Sequence, residues 1–116
     1  MRVLDLKAQA IHVDSREGIL AMIKDGHALK LIRIRYPKLI IEELYSLNGE
    51  RCLLIAKAHD LYLISIDNKL FISQDLVSVR KVLEVKAGNT LWHACGTPQG
   101  VIVQEYGEPP TSLWFT

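Results

Sequence analysis

The sequence predicts a mostly β protein built from small antiparallel meanders. Short apolar runs rich in β-branched residues recur along the chain. Turn-forming residues join pairs of these runs into hairpins at three places.

In chain order, Ala8-Gln9-Ala10-Ile11-His12-Val13 is the first run. Residues 19–24 then lead through Asp25-Gly26 into residues 28–34, and Leu39-Ile40-Ile41-Glu42-Glu43-Leu44-Tyr45 follows. Asp and Gly tolerate the positive φ that a two-residue hairpin turn requires. A second set opens with Cys52-Leu53-Leu54-Ile55-Ala56. Residues 61–66 lead through Asp67-Asn68 into residues 69–73, with Val79-Arg80-Lys81-Val82-Leu83 behind them. Residues 90–95 lead through residues 96–100 into 101–105, with Ser112-Leu113-Trp114-Phe115 behind. The hairpins begin at 19, 61 and 90, spacings of 42 and 29 residues. This is the outline of a degenerate repeat of three- or four-stranded meanders, the unit of a propeller blade.

A helical pattern competes in three windows and gives an alternative, an α+β domain with one to three helices packed on an antiparallel sheet. Asp14-Ser15-Arg16-Glu17 has capping-box spacing ahead of 15–25, with Gly26 as a stop. Pro37 suits the first position of a helix over 37–47, where Ile40, Leu44 and Leu47 share a face. Asp75 suits the cap of 76–87, with Gly88 behind it.

At 116 residues the chain has the size of one domain, 1–116. A hydrophobic fraction of 49% and a mean hydropathy of +0.14 exclude intrinsic disorder. A net charge of +1 argues against a strongly basic nucleic-acid binder. No apolar run approaches the length of a membrane span, and Asp5 and Lys7 interrupt any secretory signal. The expected location is cytoplasmic, with no membrane partner. Cys52 and Cys95 sit in apolar sequence and read as buried thiols.

Charge is unevenly placed. The first 86 residues hold every Lys and Arg, while the last 30 hold only Glu105 and Glu108 beside both tryptophans. An aromatic, low-charge end is expected to be packed on its own domain or on a partner.

Leu70-Phe71-Ile72-Ser73-Gln74-Asp75 resembles the Asp-box hairpin of sialidase-like and sortilin-like β-propellers, in which a strand ends in Ser-x-Asp and a Gly and a Trp follow. Ser73 and Asp75 match, whereas Val77 stands in the Gly place and Arg80 in the Trp place. The segment from Thr90 to Trp114 resembles a further blade in outline, without the Ser-x-Asp. The resemblance covers about half the chain and implies blade-like sheets. Asp boxes are structural turns in that family, so no catalytic residue carries over. Closed propellers need about four to eight blades. Three would leave open edges and imply self-association, for example two copies closing one ring.

No nucleophile elbow, dinucleotide fingerprint or phosphate loop is present. His93 and Cys95 would share a strand face, but two ligand types do not make a metal site. His12 with Asp14, and His59 with Asp60, are equally incomplete. No cofactor is expected. Lys30, Arg33, Arg35 and Lys38 form the densest basic stretch, within 24–38, and read as a solvated edge strand. Nucleic-acid binding through that stretch is the weakest alternative, because Lys30 has the opposite strand parity to Arg33 and Arg35. Trp92, His93, Tyr106, Trp114 and Phe115 are the candidate ligand or interface residues. The reading is a non-catalytic module that self-associates through its C-terminal third. The main alternative is a small ligand-binding protein or enzyme with a pocket near Trp92, His93 and Trp114. A homo-oligomer is thus the expected assembly, with a small molecule or another protein as further possible ligands.

Overall fold

The computed structural model describes residues 7–14, 16, 18–107 and 112–115, the last four as backbone. Among these residues there are eleven strands and no helix. Strands β1 (Ala8–Asp14), β2 (Gly18–Asp25), β3 (Ala28–Arg35) and β4 (Ile40–Asn48) form the first antiparallel sheet, in that order. The second sheet is β5 (Cys52–Ala58), β6 (Leu61–Ile66), β7 (Lys69–Ser73) and β8 (Arg80–Glu84). The third is β9 (Thr90–Thr97), β10 (Gly100–Tyr106) and β11 (Ser112–Phe115).

The α+β alternative is therefore overturned. Within 15–25, Leu20 and Met22 face one core and Ala21 another, a period of two that serves a sheet and not a helix stripe. Most of 37–47 lies in β4, paired to β3 along its length. Asp75 caps a turn and not a helix. Its Oδ1 accepts the Val77 and Ser78 amides at 2.9 Å each, which holds its carboxyl below the usual range. Leu76 has φ 62°, outside the helical region, and β8 starts at Arg80.

Two details of the hairpin reading also change. The β2–β3 loop is Gly26-His27, because Asp25 still pairs with Ala28. Gly26 takes the positive φ of 62° at its first position. The third hairpin joins the first and second strands of its sheet, whereas the other two join second and third. Matched strand for strand, β2, β6 and β10 begin at 18, 61 and 100, spacings of 43 and 39. The repeat is thus more regular than the hairpin starts suggest.

A shared irregularity fixes the phase. Each sheet's first strand carries a bulge near its start. Gln9 is the extra residue between Ala8 and Ala10, Leu53 between Cys52 and Leu54, and Trp92 between Leu91 and His93. Counting from the bulge, Ile11, Ile55 and Ala94 are equivalent, as are Leu20, Leu63 and Ile102 on the second strands.

The first strands β1, β5 and β9 lie side by side, and the sheets stack in chain order. Leu20, Met22, Leu29 and Leu31 pack against Ile55, Tyr62, Ile64 and Ile66 between the first and second sheets. Leu63 and Leu70 pack against Leu91, Val101 and Val103 between the second and third. Each fully buried Leu or Ile contributes roughly 1.5–3 kcal/mol of hydrophobic stabilisation. The middle sheet is covered on both faces.

The turn after β7 is built from side chains. The Ser73 hydroxyl accepts the Leu76 amide at 2.8 Å and donates to the Ser78 carbonyl at 2.7 Å. Ser73 is buried, so Ser73→Ala leaves an amide and a carbonyl without their partner. The expected cost is about 1–3 kcal/mol, read as a lowered thermal midpoint. An unchanged midpoint would show that water replaces the hydroxyl.

Candidate functional site

The three bulges converge. A bulge turns its extra residue out of the ladder's alternation, and such sites often re-aim a side chain. Gln9, Leu53 and Trp92 all line one groove of about 360 Å³, together with Glu50, Arg51 and Cys52. The Gln9 amide is fixed at both ends: its Nε2 donates to the Glu50 carbonyl at 3.1 Å, and its Oε1 accepts the Cys52 amide at 2.6 Å. This clips the first sheet to the second. The Arg51 guanidinium lies 5.5 Å from the centre of the Trp92 ring, a cation–π contact between the second and third sheets.

Trp92 also meets Tyr106 edge-on, with centroids 6.5 Å apart, and Tyr106 meets His93 at 5.9 Å. Three of the five expected site residues, Trp92, His93 and Tyr106, are thus one exposed cluster at the β9–β10 end. Trp114 and Phe115 stand in β11 opposite Val103 and Ile102. Their side chains lie outside the described residues.

His93 and Cys95 fall on one face, as strand parity requires. They border a shallow hollow of about 220 Å³ with Ile102 and Gln104. The hydrogen bond between His93 Nδ1 and Gln104 Oε1, at 3.2 Å, orients the imidazole. Cys95 is exposed, which corrects the expectation of two buried thiols. Its place on the outward face of the third sheet is the reason. Cys52 is buried, and burial pushes its thiol up to about 11. Among the described residues, no three His, Cys, Asp or Glu side chains gather into a metal-binding group.

The basic stretch lies in the interior strand β3, not at an edge, and acids answer its charges. Arg33 and Arg35 both bond Glu42, at 2.9 and 2.7 Å, and hold its carboxyl below the usual range. Lys30 pairs with Asp25 at 2.9 Å and Glu43 at 3.4 Å. Lys38 is exposed in the β3–β4 turn.

Sequence reasoning missed two groups. One is Gln9 and Leu53, placed by the bulges, with Arg51 beside them at the entry to β5. The signal for the third bulge was the Leu91-to-Ala94 step, where two core positions are three residues apart rather than two. The other is Asp14, buried where β1 meets β5 and β6. Its Oδ2 accepts the Tyr62 hydroxyl at 3.0 Å and the Lys57 ammonium at 3.3 Å, and its Oδ1 accepts the Arg16 amide at 2.7 Å.

No family model, no curated protein and no solved structure matches the chain. The functional reading rests on the geometry itself.

Proposed function

We propose that the chain is a non-catalytic, self-associating module. In this reading the outward face of the third sheet docks on the outward face of the first sheet of another copy. One observation carries it: on β1, positions whose repeat equivalents are buried inside the stack are exposed, beside a buried centre of Ala21, Ile32 and Ile34 on the same outward face. Ile55 is 4% exposed between two sheets, whereas its equivalent Ile11 is 62% exposed on β1. Val13, on the same face, is 64% exposed, and Ile41 also reaches solvent there. At the other end Ile102 is only half-buried, although its equivalents Leu20 and Leu63 are buried.

Head-to-tail docking would continue the contact that each sheet already makes with the next. The stack order and the side-chain-built turn at Ser73 and Asp75 support the propeller-blade resemblance. Two copies of three sheets fall within the roughly four to eight blades of a closed ring. The unlike charge of the two ends fits too, because few charges need be desolvated at the third sheet's face.

Sedimentation equilibrium tests the reading. The expected mass is twice 13.1 kDa at micromolar concentration. Ile11→Lys with Val13→Lys is expected to give a monomer with an unchanged far-UV spectrum. A wild-type monomer would sink the proposal.

A further inference from the structure

The groove of the three bulges has a chemistry that packing does not use. We infer that it binds a small carboxylate carrying a planar apolar body. The carboxylate would meet Arg51, and the body would lie along Leu53 and the exposed edge of Trp92.

Both ends of the Gln9 amide are engaged with backbone. The Glu50 carboxylate meets the Lys24 ammonium at 3.2 Å. Asp67, behind the rim, accepts the Glu50 and Arg51 amides with its two oxygens, at 3.2 and 3.1 Å. Burial keeps the Cys52 thiol protonated. The Arg51 guanidinium is different. Its contact among the described residues is the face of Trp92, and none of the described carboxylates forms an ion pair with it. A guanidinium offers five N–H donors in a planar fork that matches a carboxylate. Held over an indole it is also pre-oriented, so less rotamer freedom is lost when an anion arrives.

Size and lining agree. About 360 Å³ lies in the range of small-molecule sites, and such sites combine apolar walls with a few placed polar groups. Leu53 and Trp92 supply the walls, and the bulges in β5 and β9 are what turn both into the same space. The inference does not depend on self-association, because Gln9, Arg51, Leu53 and Trp92 belong to one chain.

Benzoate is a suitable probe, with benzamide as its uncharged counterpart. Benzoate is expected to raise the thermal midpoint and to change tryptophan emission at constant ionic strength, while benzamide does neither. Arg51→Gln is expected to weaken binding about tenfold or more, since a charge-assisted contact is lost, with the far-UV spectrum unchanged. Trp92→Leu is expected to remove the emission change. No response to millimolar benzoate would overturn the inference. So would an equal response to benzamide, or benzoate binding that survives Arg51→Gln. The oligomer mass measured in the same samples reports separately on self-association.

Discussion

Shortening Ile55 to alanine is expected to lower the unfolding free energy by about 2–5 kcal/mol. The same change at Ile11 is expected to cost well under about 1 kcal/mol within one chain. The two isoleucines occupy one repeat position, two residues beyond the bulge of their strands. Ile55 fills the interface between the first and second sheets with Leu20, Met22 and Ile64, and its loss leaves a cavity that the two packed sheets cannot collapse into. Ile11 has no second sheet over it among the described residues and is mostly hydrated already. Urea midpoints at equal m-values measure the difference, at concentrations low enough to hold the chain monomeric. Equal costs would mean that the stack is not what stabilises the middle sheet.

Asp14→Ala is the second large effect, at about 1–3 kcal/mol, the cost of leaving a buried hydrogen-bonding group without its partner. The substitution leaves the buried Tyr62 hydroxyl without its acceptor, and Lys57 without the carboxylate beside it. Tyr62→Phe, which removes the hydroxyl and its need together, is expected to cost only about 1 kcal/mol. Asp14 raises the Lys57 ammonium from its ordinary 10.5, and burial and Asp14 raise the Tyr62 phenol from 10.0. A raised pKa stabilises the fold below the unfolded value and loses that effect as pH rises through the folded one. The cluster therefore holds at neutral pH and fails above about pH 10. Thermal midpoints at pH 7 and at strongly alkaline pH check this. A wild-type decline no steeper than that of the Tyr62→Phe protein would show that Tyr62 plays no part in it.

Much of the fold was legible because the hairpin code is local. Asp67-Asn68 announces its turn, and runs such as Leu61 to Ile66 need only neighbouring strands to bury them. The helical windows misled for a local reason too. A capping box, an N-terminal proline and an Asx cap are turn chemistry before they are helix chemistry, and pairing to β3 decided the matter for residues 40–47. The candidate site was only half legible. Trp92, His93 and Tyr106 were visible by composition and do meet. Gln9 and Leu53 were not, since a bulge inserts one residue into a register that only the partner strand defines. Asp14 was hidden because its partners, Lys57 and Tyr62, are more than forty residues away.

Both tryptophans belong to the third sheet, Trp92 in β9 and Trp114 in β11. Intrinsic fluorescence therefore samples one layer of three, while the far-UV signal samples all of them. In a single chain, whose layers touch only their neighbours, an end layer has one interface to hold it and the middle layer has two. The two probes thus watch different parts of the unfolding process. Their midpoints need not coincide, and a single apparent stability drawn from fluorescence would describe the end layer before it described the chain.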